Sequence, residues 1–302
     1  MKIIFTVGVF FILLATTFAQ GCSDAGFCSL GGLKGSKPFA VIHLLSIGSG
    51  FGAGEEGTSI IQSYLEYTYR HSDKWSFQTK LTSLYASGFL GKAFNLGDIY
   101  GLATYSLSNS KRNKWSLLGG FKIPLTASNA KHKGRPLPMD YQSGVGTYDI
   151  IAGVNYLLNE EWEFSTGVQI PLININKNTF FPDEYEDIRA TNFSPTNNFR
   201  RNADVLLRVG RAFNAGNNLT LKPSLLSIFH VGEDSYENRF GRRSSIDGSG
   251  GLTLNAGLNV TKSFSDGNQL ELIVASPFIV REERPDGLTR SFVVNLQYSF
   301  SL

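Results

Sequence analysis

Residues 291–302, SFVVNLQYSFSL, close the chain. Every second residue, Phe292, Val294, Leu296, Tyr298, Phe300 and Leu302, belongs to one uninterrupted apolar row. Between them stand Ser291, Asn295, Gln297, Ser299 and Ser301, small or polar, with Val293 the one departure. Successive side chains of an extended strand point to opposite faces, so the stretch is a ribbon that is apolar on one side only. In a soluble sandwich that side turns inward to a core; in a membrane barrel it turns outward to lipid.

The same alternation recurs along the chain. It predicts twelve strands, near 39–52, 59–70, 75–87, 98–108, 114–126, 147–158, 162–173, 202–213, 218–231, 251–264, 268–280 and 289–302. Their connections differ in kind. HSDK, SNSKRN, NEE, NAGNN and SDGN are tight and rich in Asn, Asp, Ser and Gly, as hairpin turns require. The alternate connections, 88–97, 127–146, 174–201 and 232–250, read as long loops, with 53–58 and 281–288 more modest. An even strand count with short turns at one end and long loops at the other is the plan of a bacterial outer-membrane barrel.

The tryptophans agree. All three, Trp75, Trp115 and Trp162, fall at the first residues of strands leaving short turns. Tyr69, Tyr105, Tyr156, Phe213, Phe264 and Phe300 fall where strands approach the same end. Indole and phenol rings favour the headgroup layer, so one rim of a barrel is implied. The reading is a single all-β transmembrane antiparallel barrel with periplasmic termini.

Composition fits. Charged residues make up 18%, aromatic residues 13%, and there are 32 glycines, a profile of strands and turns. The opening MKIIFTVGVFFILLATTFAQ has a lysine, an apolar run and small residues, which predicts a signal peptide over 1–19 cleaved after Ala19. The run from Ile3 to Ala15 is short of the ~20 residues of a membrane helix. Residues 20–37 then form a periplasmic tail or a short plug, and 38–302 the barrel. Loss of Lys2 takes the net charge from +3 to +2, which gives no basic face for nucleic acid. Cys22 and Cys28 are even in number in an oxidising compartment, so a disulfide is expected; lipidation of Cys22 is the other reading, against the missing leucine in Ala19-Gln20-Gly21. Two thiols alone do not make a metal site, and no cofactor is expected.

Phasing each strand like the last identifies the lumen. Lys122, Asp149, Asn155, Asp98, Tyr100, Asp204, Arg208, Asn255 and Asn259 turn inward, together with Leu102, Leu118, Ile151, Leu206 and Leu226. Asp98, Asp149 and Asp204 begin strands that descend from long loops, which sets them near the outer mouth. Register counting makes Lys122 level with Asp98 and diagonal to Asp149, so the three are expected to meet. Such a cluster either rigidifies the wall or forms a selectivity point for solute. A lumen of this mixture is nearly plugged, or passes something small and partly apolar.

Gly120, Lys122 and Pro124 make a Gly-x-Lys-x-Pro strand end. Gln142, Gly144, Gly146 and Asp149 make a Gln-x-Gly-x-Gly-x-x-Asp return, preceded in the chain by Leu96-Gly97-Asp98. These motifs, confined to residues 96–156, resemble the outer-membrane barrels named for the phenol-degradation meta-pathway, within the wider hydrophobic-compound and fatty-acid transporters. The chain departs where Leu125-Thr126-Ala127 replaces the family's Thr-Gly. The resemblance implies movement of small hydrophobic molecules across the outer membrane of a diderm bacterium.

Three function classes follow. A passive transporter would meet the lipid bilayer, lipopolysaccharide and a small hydrophobic or amphiphilic solute. An interaction barrel would use FFPDEYEDIRATNFSPTNNFRR and EDSYENRFGRRSSIDGSG, long loops that mix aromatics with both charge signs. A hydrolase would need a nucleophile beside a base, and none of His43, His71, His132 and His230 has a serine placed for it, nor is there a Gly-x-Ser-x-Gly elbow. The enzyme reading is set aside.

Overall fold

The computed structural model describes residues 42–107, 112–287 and 292–302. The predicted signal peptide, the 20–37 segment, Cys22 and Cys28 lie outside them. Twelve strands form the barrel: β1 His43–Ala53, β2 Ser59–Arg70, β3 Trp75–Gly88, β4 Gly91–Ser106, β5 Asn113–Pro124, β6 Thr147–Leu158, β7 Trp162–Asn174, β8 Asp204–Arg211, β9 Leu219–His230, β10 Gly251–Ser263, β11 Gln269–Ile279 and β12 Phe292–Ser301. Each pairs antiparallel with its neighbours in sequence, and β12 pairs back onto β1 from Leu44↔Ser301 to Ala53↔Phe292. Closure leaves no strand edge unpaired in lipid. No helix among the described residues is long and apolar enough to cross a membrane.

The apolar row of β12 points outward. Phe292, Leu296 and Phe300 are 42%, 51% and 39% exposed, whereas Gln297 and Ser299 are 9% and 3%. β5 repeats the pattern, with Trp115, Leu117 and Phe121 outside and Leu118 and Lys122 inside. Aromatics cluster at the short-turn rim, where Trp75 lies 4.7 Å from Tyr105 and Trp115 lies 4.4 Å from Tyr156, ring to ring. The short turns are tight because Asn159, Glu160, Asn217 and Asn218 adopt positive φ, a conformation Asn tolerates better than most residues.

One expected loop is absent. Residues 88–97 are mostly strand: β3 and β4 continue upward to a turn at 89–90. Alternation hid this because β4 carries a bulge, with Gly97 and Asp98 together opposite Thr82. The bulge flips the phase. Phe94 and Leu96 face outward on even numbers below it in sequence, Ile99 and Tyr105 on odd numbers above it. Asp98 therefore sits inside β4 and not at its start.

The long connections 125–146 and 175–203 fold over the mouth. Leu137, Tyr141, Phe180, Ala190 and Phe193 bury against Ile60, Leu84 and Ala86 of the upper inner wall and Leu90 of the β3–β4 turn. A second dry cluster joins Met139, Val145, Phe199 and Ile246. Asparagines at alternate positions stitch the loops together. Asn176 Nδ2 donates to Val145 O at 2.8 Å, and Asn178 Nδ2 to Ser128 O and Leu137 O at 2.9 Å each.

Candidate functional site: the outer mouth and the lumen

The first charged cluster is built by strand register. Lys122 on β5 lies directly opposite Asp149 on β6 and two positions from the Asp98 partner, Pro124. Its ammonium is 2.8 Å from Asp149 Oδ2, 3.9 Å from Asp98 Oδ2 and 3.0 Å from Thr147 Oγ1. The three expected residues meet, but the register differs from expectation: Lys122 is level with Asp149 and diagonal to Asp98. β4 and β5 pair Tyr100 with Lys122, and the long 125–146 connection sets Lys122 against Asp149, a register that loop length alone does not fix. Gln169 Nε2 donates to Asp149, which is otherwise left with Oδ1 unpaired.

The motif residues assemble around this cluster. Gln142 Nε2 donates to Leu137 O at 2.9 Å, and its Oε1 accepts from Ala130 N at 2.8 Å, which pins the returning loop. Ser143 Oγ donates to Leu96 O at 2.6 Å. Gly144 lies so close to Asp98 that a Cβ there would stand 2.5 Å from its Oδ1. A side chain there would have to displace the Asp98 carboxylate. Thr82 Oγ1 accepts from Asp98 N at 2.8 Å and so fixes the bulge.

The second cluster is built largely from loops. Arg201 bonds both Asp204, the first residue of β8, and Asp286. Arg281 lies 2.9 Å from Asp286 and 3.9 Å from Asp234. His230, last residue of β9, sits between two carboxylates, with Nδ1 2.7 Å from Asp204 and Nε2 2.7 Å from Asp234. All six side chains are buried. Burial alone would raise the Asp286 pKa, but the guanidiniums of Arg281 and Arg201 hold it well below the usual carboxylate range. Nearby, Asp140 behaves oppositely. Burial, and then the Glu55 charge, pushes its carboxyl well above the ordinary value, and its Oδ1 has no partner. The sequence offers no periodic signal for Arg201, Asp234, Arg281 or Asp286, because a loop has no fixed spacing.

Between the clusters lies a cavity of about 20 Å³, lined by Asp98, Lys122, Gln169 and Arg201 among others, room for roughly one water molecule. Below it the lumen has two unlike walls. Tyr100, Leu102, Leu118, Ile151, Leu206, Leu226 and Ile228 form a buried apolar cluster on β4 to β9. The β12–β1–β2 wall is polar and small. There Tyr64 lies flat across Gly48, where a Cβ would stand 2.2 Å from its ring, and donates toward Asn295 and Gln297 at 3.0 and 2.8 Å. Arg208 is half-buried in the periplasmic half, opposite Ser165 and Leu226. Asn259 Nδ2 donates to Glu271 at 2.7 Å and Lys222 meets Glu163 at 2.9 Å in the same half.

A closed barrel with an apolar exterior, an aromatic rim and a polar mouth is an integral β-barrel of the bacterial outer membrane. No protein-family model and no curated protein matches the chain. Among solved structures, an outer membrane channel from Pseudomonas putida F1 is similar, with a TM-score of 0.61 at 13% identity, covering 87% of this chain and 96% of that one. The NanC porin has a TM-score of 0.48 at 8% identity over 85% of this chain and 100% of that one. A FadL homologue of Pseudomonas aeruginosa has 0.42 at 10% over 86% and 90%. At these identities the likeness is one of fold.

Proposed function

We propose that this barrel is a passive route for small, partly hydrophobic solutes, with the outer loops closing its mouth at rest. The observation that carries this reading is the two-walled lumen, an apolar cluster of leucine, isoleucine and tyrosine facing a wall of serine, glycine, asparagine and glutamine. Such a lining suits a molecule with one apolar and one polar edge better than a bulk ion, which would have to shed water against the leucines. The channel-like fold and the motif resemblance support it. The test is uptake of an aromatic or fatty solute by proteoliposomes. Wild-type barrel should raise uptake above empty vesicles. Lys122→Ala should change the uptake ratio between an anionic and a neutral aromatic solute if the cluster screens solutes. Absence of both uptake and conductance would favour the second reading, an interaction barrel. That alternative draws on Phe240 and Ile188, 88% and 77% exposed on the ordered outer loops.

A further inference from the structure

Three outer segments converge on one histidine. Arg201 lies near the end of the 175–203 connection, Asp234 near the start of the 231–250 connection, and Arg281 and Asp286 belong to the connection after β11. Each is tied, directly or through one partner, to Asp204 and His230 on the barrel rim. Asp234 N donates to Ser249 Oγ at 2.7 Å, and Arg281 donates to Ser249 O at 2.7 Å, so both ends of the 231–250 loop are held.

The geometry points to a proton-dependent latch, in which His230 as an imidazolium fastens the outer loops over the mouth and its deprotonation releases them. A neutral imidazole has one N–H and one lone pair, so it can donate to only one of Asp204 and Asp234. Both ring nitrogens face carboxyl oxygens at 2.7 Å, and with both carboxylates ionised only the doubly protonated ring satisfies that arrangement. Charge balance says the same. The facing groups are Asp204 from β8, Asp234 from the 231–250 loop, Asp286 and Arg281 from the loop after β11, and Arg201 from the 175–203 loop. Three carboxylates meet two guanidiniums, and the imidazolium makes the buried network neutral. Loss of the proton leaves a net negative charge out of water and one carboxylate short of a donor, a costly state that opening relieves. The closed form gains its full proton-linked stability below the ordinary histidine range and loses it as pH rises through the closed-state value.

The latch is a property of the loops; only its consequence for permeation rests on the transport reading. The experiment is amide hydrogen exchange on the full barrel in lipid nanodiscs, from about pH 6 to about pH 10, with each rate corrected to the turn at 265–268 in the same sample. Peptides across 232–250 and 280–287 should lose protection as pH rises, by roughly tenfold or more, the worth of one bond to a charged group. His230→Gln, which cannot titrate, should give a flat profile. A flat wild-type profile, or an unchanged slope in His230→Gln, overturns the latch. Should His230→Gln fail to form a heat-modifiable barrel, Asp234→Asn decides in its place: it lies in a loop and should move release to lower pH, and an unmoved release overturns the proposal. Conductance recorded over the same range separates the two claims. Loosened loops without conductance keep the latch and sink the transport reading, whereas conductance rising with pH in step with exchange supports both.

Discussion

The two charged clusters at the outer mouth contain the same chemistry and are built by different means. Asp98, Lys122 and Asp149 are fixed by neighbouring strands, so the backbone ladder of the barrel holds their spacing. Arg201, Asp234, Arg281 and Asp286 come from connections, and the side chains themselves hold the backbone in place. In the first, structure positions charge; in the second, charge positions structure. Breaking the first should therefore damage the whole barrel, and breaking the second only the lid.

The largest effect is expected from Lys122→Met, which leaves two buried carboxylates without their cation and should cost about 3–5 kcal/mol. Urea titration of the heat-modifiable band measures it. Replacing Asp98, Lys122 and Asp149 together by apolar residues of similar volume should recover most of that loss, because no orphaned charge remains. If the triple variant is as weak as the single one, the cluster is more than a neutralised group.

Asp286→Asn should come next, at about 2 kcal/mol, and should act on the lid alone. Loop proteolysis should speed up while the urea midpoint of the barrel stays put. Because the Asp286 pKa is lowered, its contribution is present above the ordinary carboxylate value and is lost as pH falls through the folded value. Wild type and variant should then differ at neutral pH and converge in strong acid. A shifted barrel midpoint would show that lid and wall are one cooperative unit.

The smallest effect has the opposite sign. Asp140 is buried beside Glu55 with a raised pKa, so its proton-linked contribution is complete below the ordinary carboxylate value and is lost as pH rises through the folded one. Asp140→Asn should stabilise the lid by on the order of 1 kcal/mol at neutral pH and do nothing in acid. Hydrogen exchange of 137–145 at two pH values reads this directly.

The same contrast explains what could be read without coordinates. Strand alternation is a local rule, so β2 and β6 match their expected limits, and the inward positions of Lys122, Asp149 and Asp204 follow from it. The rule fails where the period breaks, at the Gly97–Asp98 bulge, which made upper β4 look like a loop and displaced Asp98 from a strand start to a strand interior. It is silent about the lid. His230 was visible only as one of four histidines, and nothing in its neighbourhood announces Arg201 or Asp286, brought close by loop folding. Asn174, Asn176 and Asn178 stand at alternate positions, yet their side-chain stitching of the loop is a structural finding, since alternation of that kind looks like a strand in sequence.

The phenol of Tyr64 has a consequence for how the cylinder is made. β1 and β12 lie at opposite ends of the described chain, and joining them is the closure most expensive in chain entropy. Tyr64 stands on β2, yet its hydroxyl reaches over Gly48 to Asn295 and Gln297 on β12, spanning the join as a clasp. Ser46 and Ser299 add a second tie across it at 2.8 Å. Opening the cylinder at its join therefore requires drawing a ring out of its slot as well as parting a ladder. A lateral opening that starts there meets resistance from three strands instead of two.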